Sequence, residues 1–332
     1  MATLVVDRVW RPSSPETVEG DLAALWRDVG RDARIARAVM SNLVVYRRRR
    51  DSERRAVDIL QTDAAIEAVV ARHPSRVVLV EHDARGQQAT TVTASVGVAL
   101  FGPQTARYAV DQVAVRSACV ETSLPSIVRR FIRGDLPTSI WWNEDLSTVP
   151  ALEALIAVGR QLVYDSRHWQ DVRRGVETIA PLVASQRIDL ADLNWRRLAP
   201  LRQALVHVAP SLGDTVSAFH VRIHHRSDEA LAWLLAGWLC ARLEWASGIW
   251  PAIDETPHDD EILTLAVGAG STALTISMND HRVVVSVPGA TPFTIRVPQV
   301  DEAEAVAVEL RSLSHDSGLH DALAALARQA PG

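Results

Sequence analysis

Cysteine is scarce. Cys119 and Cys240 are the two cysteines in 332 residues, and they lie far apart, so the chain has no CxxC pair and no zinc-ligand spacing. A disulfide-stapled scaffold is thereby excluded, and a reduced, cytoplasmic chain is the expectation. A Cys119–Cys240 bridge has no support, because spacing does not show whether two Cα atoms approach. Positive charge is not in excess. The formal net charge is −5 at pH 7, which argues against a general nucleic-acid binder facing a dense line of phosphates. Long apolar runs are missing too. The opening MATLVVDRVWRPSSP has no apolar core of a signal peptide. The most apolar later run, Ala230–Leu243, is short and interrupted by Trp233, Gly237 and Arg242, so it reads as a buried helix rather than a membrane span. There is no G-x-S-x-G elbow, no H-E-x-x-H and no P-loop, and no internal repeat or low-complexity tract.

What is present describes a globular protein. Hydrophobic residues make up 48% of the chain and charged ones 23%, enough for a sizeable core. At roughly 150 residues per domain the length suggests two domains. Ser14-Pro15-Glu16 is a helix start, with a cap, a proline and an acid in order. Val18, Leu22, Leu25, Trp26 and Val29 follow on one helical face, which puts Trp26 in the core. Strands are expected at 41–46, 76–82, 90–100, 108–116, 138–142 and 161–165. Helices are expected between them: a segment from after Arg50 to about His73, with a break and restart placed near Thr62-Asp63, then 149–158 and 170–183, with one long helix over Asp189–Val208. The centre of this half is Cys119–Trp142. There Ile127, Val128 and Phe131 share a helical face, Gly134 is placed for a left-handed C-cap, and Pro137 opens the strand Thr138–Trp142. Adjacent Trp141 and Trp142 must point to opposite faces of that strand. One can be core, and the other then needs a second packed layer or a partner.

Such alternation predicts an α/β N-terminal domain over residues 1–210, a mixed, largely parallel sheet with helices on its faces. Pro210–Asp214 is the linker candidate. An α+β C-terminal domain with an antiparallel sheet is expected over 215–332. Its predicted elements are a strand at Thr215–His225, a helix at Asp228–Trp245 and four short strands between Ile262 and Val297. Asn279-Asp280 sits at hairpin spacing between two of these strands. One final helix is predicted from Glu302 to Arg328.

Candidate chemistry is thin. Gly268–Ala273 fits G-x-G-x-x-A, but the residues after it alternate like a strand, so a turn between strands is expected rather than a dinucleotide site. His220, Arg222 and His224 share a strand face, and the arginine opposes a metal there. His258–Glu261 reads as a solvated acidic loop. Arg47–Arg50 reads as a solvated strand end, because Asp51, Glu53 and Asp58 dilute its charge. Arg116 lies near Cys119 and would favour its thiolate, against the ordinary reading of a lone buried thiol. Asp165-Ser166 occupies a strand end, where ligand contact and helix capping both remain open. No catalytic residue, cofactor site or metal site is assigned. Asn194-Trp195-Arg196-Arg197 differs, since Trp and Arg are the residue types most enriched at protein–protein hot spots. Its two readings, partner surface or inward Trp195 with solvated arginines, stay level.

Several stretches, in one order, resemble a known family. They are Asn42–Tyr46, His73–Val78, Asp135-Leu136-Pro137 with Trp141-Trp142, Tyr164-Asp165-Ser166, Asp192–Arg202 and Ala236-Gly237-Trp238-Leu239. Together they are similar to the OpcA family of glucose-6-phosphate dehydrogenase assembly proteins. Leu201 stands where that family frequently has tryptophan. The resemblance implies a non-enzymatic partner of glucose-6-phosphate dehydrogenase that favours its active oligomer and supports NADPH production. Trp141, Trp142, Asn194, Trp195, Arg196 and Arg197 are the partner contacts expected on this reading. The alternative is an α/β sensor or enzyme for a sugar phosphate or nucleotide. A DNA-binding regulator using Arg47–Arg50 is the third reading, disfavoured by the net charge.

Overall fold

The computed structural model describes residues 7–29, 35–49, 60–84, 92–103, 105–211, 217, 220–246, 248–257, 260–268, 273–313 and 315–329. The first sheet contains β1 (Asp7–Ser13), β2 (Ile35–Arg37), β3 (Ser41–Arg48), β4 (Ser75–His82), β5 (Val92–Phe101), β6 (Arg107–Ser117), β7 (Thr138–Trp142), β8 (Gln161–Tyr164) and β9 (Asp189–Asp192). Its order is β1-β5-β6-β4-β3-β7-β8-β9, with β2 beside β6. The run from β6 to β9 is parallel throughout, and β5 and β1 join it antiparallel. Taken in chain order, these parallel strands lie 3-2-1-4-5-6, the arrangement of doubly wound α/β proteins.

A parallel sheet is covered on both faces, and residue parity sorts the side chains between two cores. Leu43, Val45, Val77, Leu79, Trp141 and Val163 pack with α2 (Ala64–Arg72) and α9 (Glu302–Ser312). Val44, Tyr46, Val78, Val80, Trp142 and Tyr164 pack on the other side with α1 (Val18–Val29), α3 (Leu124–Arg129) and α5 (Val172–Ser185). Both adjacent tryptophans are therefore core, and the second packed layer exists. The helix α4 (Glu153–Ile156) is a single turn.

The second sheet has order β11-β10-β12-β13-β14-β15, formed by β10 (Val221–His225), β11 (Ala252–Glu255), β12 (Leu263–Val267), β13 (Leu274–Met278), β14 (Arg282–Ser286) and β15 (Phe293–Arg296). Apart from the parallel β10–β11 pair it is antiparallel. Val221, Ile223, Leu263, Leu265, Ile276 and Val283 turn inward. Against that side lie α7 (Ala199–Val208) and α8 (Glu229–Arg242). The hairpin at Asn279 forms as expected: its backbone N–H donates to Arg282 O at 3.0 Å, and its side chain accepts from Arg282 N. The second domain thus has the α+β character read from the sequence. No helix among the described residues is long and apolar enough to cross a membrane.

Several expectations are corrected. Asp189–Val208 is not one helix. Asp189–Asp192 pairs with β8 as the sheet's last strand, α6 (Leu193–Arg197) follows, and α7 restarts around Pro200. Glu302–Arg328 is two helices, α9 and α10 (Ser317–Gln329), because Leu313 takes a left-handed conformation (φ 39°). Gly134 is not a left-handed cap, since α3 ends at Arg129 and the positive-φ glycines described are elsewhere. The first helix begins at Val18 after a turn at Ser14–Thr17, and Trp26 is only half-buried, its indole N–H donating to Asp111 at 2.5 Å. The strands β1, β2 and β11 carry no sequence signal strong enough to predict them. Most of the linker candidate, residues 212–214, lies outside the described residues.

Gly237 marks a close helix contact. A Cβ there would lie 2.6 Å from Ala322 O and 2.8 Å from Leu326 Cγ, so α8 and α10 meet backbone to backbone. Gly237→Ala is expected to lower stability by about 1–3 kcal/mol through overpacking. Urea unfolding checks this, and an unchanged midpoint would mean that the helices part without strain.

Candidate functional site: a clasp between the two sheets

The segment Asp192–Arg197 joins the elements around it one residue at a time. Asp192 ends β9, and its Oδ1 accepts from Ser166 N at 3.1 Å and from Asn194 N at 2.8 Å, so it ties β8 to the start of α6. The Asn194 amide donates to Asp228 Oδ1 at 3.0 Å, and Asp228 caps α8 through Leu231 N. The Trp195 indole N–H donates to Asp316 at 2.8 Å, while the same carboxylate accepts Leu319 N at the start of α10. Arg202 lies 3.5 Å over the Trp195 ring, a cation–π contact. Arg196 Nε reaches Glu309 of α9 at 2.7 Å. Arg197 grips both oxygens of Asp165 at 2.7 Å each, the fork-on-fork geometry that arginine provides and lysine does not. All 35 basic residues of the chain are arginine.

Burial sets the charge states in this clasp. Burial, with the Asp165 charge added, pushes the Asp192 carboxyl up to about 7. Burial also raises Asp228, against the hydrogen bonds from Asn194 and Leu231. Burial alone would raise Asp165, but the Arg197 guanidinium holds it below the usual carboxylate range. Tyr164 OH, Ser166 Oγ and Asp192 Oδ2 are buried nearby without a hydrogen-bond partner among the described residues. A carboxyl poised near neutrality is also what acid–base catalysis uses. Here its Oδ1 is engaged by two backbone donors, which link β8 to the start of α6.

Of the six residues expected to contact a partner, Trp141, Trp142, Asn194 and Trp195 are buried. The two-sided core and the clasp enclose these four side chains. Arg196 and Arg197 keep 35% and 30% of their side chains exposed. Asp165 and Ser166 belong to the clasp, and Asp165 caps the turn at Ser166–His168 through Arg167 N. Sequence reasoning missed Asp228, Glu309 and Asp316. Asp228 had a local signal as the cap of α8; the other two had none, because only the fold brings α9 and α10 to α6.

The carboxyl ends of β3 and β7 form the switch point where a doubly wound sheet binds its ligands. Tyr46 and Trp142, paired in register there, stack with centroids 4.0 Å apart and planes 8° apart. The Glu144 carboxylate accepts Arg48 N at 2.6 Å, so a backbone donor at the end of β3 is engaged within the chain. No glycine occurs between Ser41 and Asp83, where a phosphate-cradling turn would fall.

The remaining candidates resolve simply. Gly268 has φ 107° and lies between β12 and β13, which are antiparallel neighbours, so the G-x-G-x-x-A stretch connects strands; residues 269–272 lie outside the described residues. No group of metal-ligating side chains forms among the described residues. His258 and Asp259 lie outside them. Arg47 and Arg49 pair with Asp63 and Asp83, and Arg50 is outside. Cys119 and Cys240 are free thiols, and burial pushes Cys240 up to about 11.

The chain is therefore a two-sheet protein of doubly wound order whose halves are clasped by one helical turn. Residues 66–181 match the glucose-6-phosphate dehydrogenase subunit N-terminal domain, and residues 188–323 match the C-terminal domain of the same subunit. The chain belongs to the OpcA family of glucose-6-phosphate dehydrogenase subunits. A protein of Nostoc punctiforme that carries the provisional name OxPP cycle protein OpcA is 29% identical over 117 residues, a match covering 34% of this chain and 25% of that relative. The match thus spans about a quarter of that relative's length. Among solved structures, biliverdin reductase of Synechocystis sp. PCC 6803 is 12% identical with a TM-score of 0.45, over 86% of this chain and 96% of that one. A 3-ketoreductase of Actinomadura kijaniata is 10% identical with a TM-score of 0.45, over 88% and 96%. Likeness at that level bears on no functional claim.

The clasp makes stability depend on pH. Asp192 ionises at about 7 in the folded chain and at ~3.9 when unfolded. Between those values the folded state holds the extra proton, so stability falls as pH rises from about 4 to about 7. Asp165 acts in the opposite direction, and only below that window. Asp192→Asn keeps the acceptor oxygen and removes the charge. It is expected to flatten the decline and to be about 1–3 kcal/mol more stable than the parent at pH 8. Denaturation midpoints from pH 4 to 8 check this; an unchanged slope would show that Asp192 ionises normally.

Proposed function

We propose that this chain is a non-catalytic assembly factor that binds glucose-6-phosphate dehydrogenase and favours its active oligomer. In that role it supports NADPH production in the oxidative pentose phosphate pathway, in the cytoplasm. The observation that carries the reading is the match of both halves to the two domains of one glucose-6-phosphate dehydrogenase subunit family. The engaged switch point favours it over a nucleotide or sugar-phosphate sensor. A factor of this kind works by binding the active oligomer better than other states, and shifts the population by that differential affinity and no more.

A surface for such a partner lies between α7, α8 and β12. There a trough of about 740 Å³ runs past Val206, Trp238, Leu239 and Leu243, flanked by Arg202 and Arg242. Val206 is 63% exposed and Leu243 40%. Exposed apolar surface beside arginine is the composition of an interaction site. Arg196 and Arg197 remain as separate proposed contacts. Trp141, Trp142, Asn194 and Trp195 then act from within, by holding the surface in shape.

The test mixes the purified chain with glucose-6-phosphate dehydrogenase of the same organism and follows activity and particle mass together. A larger complex with higher activity is expected; two folded proteins that neither associate nor change activity would end the reading. The double variant Val206→Glu/Leu243→Glu changes exposed side chains. It is expected to keep the parent's stability and weaken the complex at least tenfold, ~1.4 kcal/mol. Undiminished affinity would move the contact off the trough.

A further inference from the structure

A second hollow, of about 480 Å³, opens where β10, β11 and α8 meet, lined by His225, Glu229, Trp233, Trp250, Ile253 and Glu255. We propose that it receives an organic cation, a guanidinium or alkylammonium group, held against the tilted pair of indoles and by two carboxylates. The rings of Trp233 and Trp250 stand 5.8 Å apart at 47°, forming two walls whose faces attract positive charge. Glu229 Oε1 accepts the Trp233 indole N–H at 3.1 Å, which fixes that ring and the carboxylate together. Glu255, on β11, supplies the second carboxylate, and Ile253 an apolar surface for an alkyl stem.

His225 adds an imidazole ring to the same lining. It is 7% exposed, it lines the hollow, and its Nδ1 is buried without a hydrogen-bond partner among the described residues. The two carboxylates supply the lining with acceptors, and the Trp233 donor is already engaged by Glu229. That is the complement of a guanidinium or ammonium, which only donates. Neither Glu229 nor Glu255 forms an ion pair among the described residues, in a chain with 35 arginines. An anion is repelled by the two carboxylates.

Two sources carry this chemistry: an arginine or lysine side chain of a protein partner, and a free small cation. The first rests on the assembly-factor reading; the second does not. The experiment titrates the full chain with Nα-acetyl-arginine amide, with Nα-acetyl-lysine amide, and with the uncharged isostere Nα-acetyl-citrulline amide. It follows the Trp233 and Trp250 indole N–H signals by NMR, assigned through Trp233→Phe and Trp250→Phe. Saturable shifts with a charged titrant, absent with citrulline and weakened at least tenfold in Glu229→Gln/Glu255→Gln, are expected. The amide oxygen introduced by Glu229→Gln would still accept the Trp233 N–H, so the fold is retained in that variant. No saturable shift, equal binding of citrulline, or full binding by the double variant would each overturn the proposal. A second arm measures affinity of the double variant for glucose-6-phosphate dehydrogenase. A tenfold loss assigns the cation to the enzyme, and undiminished affinity with the parent's cation binding intact assigns it to a free molecule. Failure of the complex to form at all would count against the assembly-factor reading and leave the titration result standing.

Discussion

A parallel sheet has no face it can leave to water, and that constraint governs how this chain is put together. One face of the first sheet is covered by α1, α3 and α5, all drawn from the same half of the sequence. The other is covered by α2 and by α9, which arrives only after the whole second sheet has been built. The chain must therefore cross back. Once α9 is docked, held also by Arg72 to Asp301 at 2.7 Å and by Gln161 to Glu309 O at 3.1 Å, α10 is delivered against α8 and α5. The two sheets are then tied by chain connection at both ends.

The clasp of Asp192–Arg197 follows from that closure. It stands where β9, α8, α9 and α10 converge, and each of its polar side chains satisfies a different element. Buried carboxylates are destabilising unless paired or hydrogen-bonded, and each here is treated differently. Asp165 is neutralised by a bidentate arginine, Asp228 caps a helix start, and Asp192 keeps a raised carboxyl. The same solution appears at the opposite end of the sheet, where buried Asp111 collects Arg76 at 3.1 Å together with Arg37 and the Trp26 indole. Such networks favour one arrangement of the elements over its neighbours, because breaking any member strands a buried charge.

Strand order by itself does not fix function. The order 3-2-1-4-5-6 is shared with dinucleotide-binding enzymes, yet function resides in sites grafted onto folds. At this switch point stacked Tyr46 and Trp142 and a carboxylate on a backbone N–H occupy the strand ends. The apolar trough and the aromatic, acidic hollow lie on the second half instead.

The local patterns that the sequence carries are those decided by periodicity and by caps. Buried strands such as Arg76–His82, the alternation in Leu274–Met278 and the Asp228 cap of α8 are legible because neighbours in sequence decide them. The family motif at Asp192–Arg202 is legible as well, but its role is not. Trp195, Asn194 and the two arginines look like an interaction surface in one dimension. The fold engages most of them internally with Asp228, Glu309 and Asp316, which lie 34, 113 and 121 residues away. Asp189–Asp192 has a helix-compatible composition and becomes a strand because β8 offers an open edge. Leu313 breaks a helical run because α9 and α10 must cover different partners. Sequence by itself determined most of the element types, the fold class and the family. Tertiary structure decided which aromatic and charged groups remain available to a partner, because burial is a property of what arrives from elsewhere in the chain.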